Sequence, residues 1–253
     1  MSSARTILIT GASSGIGLAI AEKHANAGDS VIGLDLQAGQ LEQYGTWISC
    51  DIADADSVDA AFDEIARLTP VIDVLVNNAG VGAVGTVETS TDADWWRVLS
   101  VNVVGTARVS RAALPLLRQS AAPAIVNIAS FAAAVGIPAR AAYSASKGAV
   151  QTLTLAMAAD HIGEGIRVNC INPGTADTPW VQRLLENSDN PDADAAKLRQ
   201  RQPTGRLVTG QEIASAAYFL CHPDQRSITG AVLAVDGGIQ TLRTPQPDAS
   251  SAL

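Results

Sequence analysis

Short apolar runs rich in β-branched residues recur along the chain, and helical periodicity fills the space between most of them. The runs are TILIT (6–10), SVIGLD (30–35), TWISCD (46–51), VIDVLVNNAG (71–80), AIVNIAS (124–130), IRVNCINPG (166–174) and AVLAVDGG (231–238). Helices are predicted over 15–27, 54–68, 92–118, 143–162 and 211–221. Strands with no polar face must be covered on both sides, and parallel strands need crossover connections. The fold class is therefore α/β, a doubly wound parallel sheet with helices on both faces. No linker rich in Gly, Pro or Ser divides the 253 residues, which predicts a single domain over 1–253. Thr91 and Asp94 have the spacing of a capping box at the start of the long helix, and Pro115 bends or ends it.

The alternation breaks between Thr175 and Gly205, where helical pieces flank a turn at Asp189–Asp192. An excursion after the carboxyl end of a strand sits where doubly wound sheets bind ligands. It reads as a substrate lid over about 175–205, or as an inert surface excursion. The tail, about 244–253, is expected to be loosely ordered.

Charge narrows the partners. A net charge of −8, without a basic run, leaves no footprint for nucleic acid or an anionic membrane, although local arginines could still hold a small anion. The N-terminal stretch lacks the apolar core of a signal peptide, and no run has the length of a membrane span. Cys50, Cys170 and Cys221 are odd in number and far apart, as expected of buried reduced thiols in a cytoplasmic protein. His24, His161 and His222 show no ligand spacing and are expected at the surface or at helix ends, so no metal is predicted.

The first strand runs into TGASSGIG, Thr10 to Gly17. A glycine-rich turn between strand and helix brings backbone N–H groups to a pyrophosphate. Gly11, Ser14, Gly15, Ile16 and Gly17 are the candidate cofactor residues there. Asp35 closes the second strand, where an acid accepts from an adenosine ribose and repels a 2′-phosphate. Leu36, Ser13 and Ser14 add no basic residue, so NAD is expected over NADP. Asp51 and Ile52, after the third strand, could bracket an adenine. In NNAG (77–80), Asn78, Ala79 and Gly80 either tie strand ends together or approach the cofactor. Asn102, a polar amide among apolar neighbours, either satisfies a backbone group or holds water in a proton relay.

Tyr143 and Lys147 share a helix face at i and i+4. An ammonium beside a phenol favours the phenolate, which suits the pair to general acid–base chemistry on an alcohol. Ser130, at the end of the fifth strand, can hydrogen-bond the substrate oxygen.

The ordered set TGASSGIG, Asp35, NNAG, Asn102, Ser130, YSASK, NPGTADT and VDGG resembles the short-chain dehydrogenase/reductase family over about residues 5–243. The resemblance implies a seven-stranded Rossmann-like domain, NAD(P)-linked oxidation of alcohols or reduction of carbonyls, and a homotetramer. It implies a tetrad of Asn102, Ser130, Tyr143 and Lys147, with the lysine also on the nicotinamide ribose. Pro173, Gly174 and Thr178 match the loop that touches the nicotinamide. GTADTPWVQRLL, RQRQPTGR and PARAAYS further resemble the branch that includes cytosolic type 2 hydroxybutyrate dehydrogenase and bacterial sugar-acid dehydrogenases, such as those acting on 2-keto-3-deoxy-L-fuconate. By that resemblance Arg140 and Arg201 face a substrate carboxylate, which guanidinium forks suit. Trp180 could cover a sugar ring, and Arg183 falls one residue out of step. The expected reaction passes a hydride between NAD and a secondary alcohol of a sugar acid or small hydroxy acid. The alternatives are a neutral sugar, a cyclic alcohol, a 3-oxoacyl thioester or a non-catalytic nucleotide sensor.

Overall fold

The computed structural model describes residues 4–186 and 188–243. Seven parallel strands form one sheet: β1 (Thr6–Thr10), β2 (Ser30–Asp35), β3 (Thr46–Ser49), β4 (Val74–Asn77), β5 (Ala124–Ile128), β6 (Arg167–Pro173) and β7 (Val232–Val235). Their order is β3-β2-β1-β4-β5-β6-β7, the doubly wound arrangement. The chain reverses direction across the sheet between β1 and β4, which opens a crevice at their carboxyl ends. The expected tail at 244–253 lies outside the described residues.

Period-two alternation sends neighbouring side chains into different cores. Ile7 and Ile9 pack with α1 (Gly15–Asn26) and α8 (Gly210–Cys221), through Ile20, Ile213 and Ala217. Leu8 packs on the other face with Val58 and Ile65 of α2 (Ala55–Leu68), Val109 and Leu117 of α4 (Thr106–Leu117), and Met157 of α5 (Ala141–His161).

The predicted 92–118 helix is not continuous. It begins as α3 (Asp92–Leu99), capped by the expected Thr91–Asp94 box. A π-helical turn then spans Ser100–Gly105 before α4 resumes. One extra residue in a turn hardly disturbs apolar periodicity, so the sequence pattern does not show it. The turn carries Asn102, and Pro115 sits within the last turns of α4.

His24 lies at a helix end as expected, in the last turn of α1, but it is fully buried. Its Nδ1 meets Asp29 Oδ2 at 2.7 Å, while Arg5 holds both carboxylate oxygens of Asp29 and donates to the Cys221 carbonyl. Nε2 is buried without a partner. Burial holds the His24 pKa below its ordinary 6.5 and outweighs the pull of Asp29; Arg5 and Lys23 push the same way as burial. The fold therefore favours neutral His24. As pH falls below the ordinary histidine value, the unfolded chain takes up a proton that the folded chain resists, and stability drops. The melting temperature should fall between about pH 7 and pH 5, and His24→Gln should flatten that slope. Equal slopes in the two proteins would assign the acid sensitivity elsewhere.

Candidate active site

A cavity of about 630 Å³ opens at the carboxyl ends of the strands. One end is built by the glycine turn. Gly11 and Gly15 adopt left-handed backbone (φ 63° and 56°), which glycine reaches without strain. The turn is clamped from β4: the Asn78 amide donates to the Thr10 and Gly11 carbonyls at 3.0 and 2.9 Å, and Thr10 Oγ1 accepts from the N–H groups of Asn78 and Ala79. Gly17 packs so tightly beneath Gly11 that a side chain there has no space. Ser14, Ile16, Asp51, Ile52, Ala79 and Gly80 all line the cavity, as does Asp35. The Asp35 carboxylate accepts from Ser13 N at 3.0 Å and from Leu36 N at 2.8 Å, which fixes it at the rim beyond the turn.

The middle of the cavity gathers Ser130, Tyr143 and Lys147. Ser130 follows β5 by two residues, and its Oγ accepts from Ala132 N at 3.1 Å. Tyr143 lies close enough to Ser130 for the serine hydroxyl to pull its pKa down. Lys147 is buried, donates to the Ile128 carbonyl at 2.9 Å and stands 5.9 Å from the centre of the Tyr143 ring. Burial lowers the Lys147 pKa to about 8. Burial also raises Tyr143 above its ordinary value; the Ser130 hydroxyl and the Arg140 charge bring it only part of the way back. This differs from the expectation of a phenol lowered by Lys147, because i, i+4 spacing reveals proximity but not desolvation. At neutral pH the proton sits on Tyr143.

Asn102 is buried and its side chain is fully engaged. It donates to the Val81 carbonyl and to Ser146 Oγ, and it accepts from Val81 N. It thus fastens the β4–α3 connection to α5. Gly80 lies between Asn102 and Lys147, where an added Cβ would stand 3.1 and 3.3 Å from their polar atoms.

The cavity lining is rich in cations: Arg97, Arg140, Arg183 and Arg201 line it, as does Trp180. The two acids in the lining, Asp35 and Asp51, end β2 and follow β3, on the other side of the β1–β4 crevice from β5 and β6. Arg140 donates to the Ala83 carbonyl at 3.2 Å and precedes α5. It follows Ala139, a left-handed residue (φ 53°) whose carbonyl accepts from Gly85 N. That conformation costs an alanine roughly 1 kcal/mol, and it aims the arginine at the cavity. Burial lowers the Arg140 pKa, and the Arg201 charge lowers it further. The two guanidiniums therefore feel each other, a repulsion that an anion between them would relieve.

The 175–205 segment holds α6 (Pro179–Glu186) and α7 (Pro191–Gln200), and both contribute to the lining. The turn between them ends sooner than expected, because Asn190 already caps α7. Pro173, Gly174 and Thr178 line the cavity as expected, and Arg183 does so despite its shifted register. Sequence reasoning missed Arg97, Gly82 and Gln202. Arg97 reaches back to the Gly82 carbonyl, and the Trp180 ring lies against Gly82. These meetings join distant segments, which no local pattern marks. Among the described residues no cluster of three or more His, Cys, Asp or Glu forms a metal cage, and no helix is long and apolar enough to cross a membrane.

A doubly wound sheet, a glycine turn at its switch point and a Ser–Tyr–Lys group beside it define a nicotinamide-dependent oxidoreductase. A family model described as enoyl-(acyl carrier protein) reductase matches residues 11–240. A 2-(S)-hydroxypropyl-CoM dehydrogenase of Xanthobacter autotrophicus is 39% identical over 93% of this chain and 96% of its own. A cis-4-hydroxycyclohexanecarboxylate dehydrogenase of Sinomonas cyclohexanicum is 38% identical over 92% and 96%. The ligand-free structure of Thermoplasma acidophilum aldohexose dehydrogenase superposes with a TM-score of 0.89 at 35% identity, over 96% of this chain and 98% of that one. The chain belongs to the short-chain dehydrogenase/reductase family and acts on CH–OH groups.

Proposed function

We propose that the protein is an NAD-dependent dehydrogenase acting on a secondary alcohol of a small hydroxy acid or sugar acid. The observation that carries this reading is the polarity of the cavity. Its two acids lie by β2 and β3, its Ser–Tyr–Lys group lies by β5 and α5, and four arginines also line it, in a chain of net charge −8. Nicotinamide would supply the hydride acceptor. The glycine turn would hold the pyrophosphate, Asp35 the adenosine ribose, and Pro173, Gly174 and Thr178 the carboxamide side.

In this reading Ser130 hydrogen-bonds the substrate oxygen and Tyr143 exchanges the proton with it at Oη. Lys147 carries a cation beside the phenol and holds the nicotinamide ribose. Asn102 positions Val81 and Ser146 through its side chain; its main-chain carbonyl accepts from Thr106 Oγ1 and keeps one lone pair that a relay water would use. A phenol protonated at neutral pH is ready to reduce a ketone, and alcohol oxidation should quicken as pH rises. Arg140 and Arg201 take the carboxylate, Trp180 covers the apolar part of the substrate, and the 175–205 segment acts as a lid. A relative acting on a hydroxycarboxylate supports the anionic substrate. The aldohexose dehydrogenase supports the second reading, a neutral sugar. Exposed Phe219 and Leu155 and the edge strand β7 support the homotetramer, and three free, buried cysteines support a cytoplasmic setting.

Cofactor choice is tested at Asp35. Asp35→Ala should shift the kcat/KM ratio towards NADP by about tenfold, or ~1.4 kcal/mol. An unchanged NAD/NADP ratio would remove the ribose role from Asp35.

A further inference from the structure

We propose that Gln202 is a positioning residue for substrate binding, holding Arg201 in the cavity lining. This rests on the reading of Arg201 as a contact of the substrate's anionic group. Helix α7 has no buried residue, so packing alone does not orient it. Arg201 caps its carboxyl end and lines the cavity. The next residue, Gln202, is only 1% exposed. Its Nε2 donates to the Thr175 carbonyl at 3.2 Å and to the Arg206 carbonyl at 2.7 Å. Its chain carbonyl accepts from Gly205 N at 2.8 Å, and Thr204 N donates to the Gly237 carbonyl. One buried amide thus ties the end of a helix with no fully buried residue to the loop after β6, directly beside the arginine.

The other end of that amide argues against simple space filling. Gln202 Oε1 is buried, has no hydrogen-bond partner and lies against Gly174. An unpaired buried acceptor is destabilising, and methionine would fill the same volume without that cost. What methionine cannot supply is the pair of donations that fix the direction of the chain at Arg201.

The test uses the NADH-loaded full chain and calorimetric titration with cis-4-hydroxycyclohexanecarboxylate, the hydroxycarboxylate named for a relative. Gln202→Met should weaken acid binding roughly tenfold with NADH affinity unchanged. Arg201→Ala should weaken it at least as much, and the double variant should lose nothing more than Arg201→Ala, because Gln202 acts through Arg201. If Gln202→Met melts early, Gln202→Leu replaces it in the same cycle. Wild-type acid affinity in the Gln202 variant, an additive loss in the double variant, or weakened NADH binding would overturn the positioning role. Wild-type affinity in Arg201→Ala would overturn the anion reading itself, and the role of Gln202 with it.

Discussion

Tyr143→Phe should abolish turnover while leaving NAD binding nearly intact. The substitution removes one hydroxyl and keeps the ring. Ser130 retains its bond from Ala132 N, and Lys147 retains its bond to the Ile128 carbonyl, so the cavity keeps its shape. What disappears is the group that exchanges a proton with the substrate oxygen. General acid–base catalysis contributes about 10²–10⁴-fold, so kcat should fall by at least that range. The Kd for NAD, followed by calorimetry, should change little, since phosphate and ribose contacts lie elsewhere. Near-normal kcat in Tyr143→Phe would overturn the mechanism.

Gly17→Ala should weaken cofactor binding severely. A methyl at this position would fall on the Gly11 carbonyl oxygen and 2.5 Å from Asn78 Nδ2, the pair whose hydrogen bond clamps the turn. Neither is a flexible side-chain end that can swing aside: one is backbone, and the other is held by two carbonyls. Overpacking of this kind costs about 1–3 kcal/mol in stability. The larger effect is on function, because the N–H groups that would meet the pyrophosphate sit on the displaced turn. NAD affinity should fall by roughly 100-fold or more, with a modest drop in melting temperature. Gly163→Ala is the control: its added methyl meets nothing within 4 Å, and it should leave both quantities unchanged. Wild-type NAD affinity in Gly17→Ala would show that the turn is not the pyrophosphate site.

Much of this was legible in the sequence because its causes are local. Apolar runs alternating with helical periods specify a parallel sheet, and the turn, Asp35 and the YSASK pair all fall at carboxyl ends of strands or beside them. Their meeting in one cavity follows from strand order. The parts that were not legible depend on distant partners or on burial. The π-helical turn at Asn102 leaves the periodicity of the segment almost undisturbed. His24 owes its burial to Asp29, Arg5 and the packing of Tyr218 against its ring. Gln202 looks like any polar residue in a polar stretch until the loop after β6 is folded beneath it. The raised Tyr143 shows the same limit: spacing places a lysine beside a tyrosine, but desolvation decides where the proton rests.

The most direct measurement is reduced-nicotinamide formation with NAD and with NADP across matched substrates, pairing hydroxy acids and sugar acids with their uncharged counterparts. Turnover with NAD, confined to the acids, is the predicted result. Turnover of uncharged alcohols or sugars at equal or higher kcat/KM would contradict the role given to Arg140 and Arg201, and a preference for NADP would contradict the role given to Asp35.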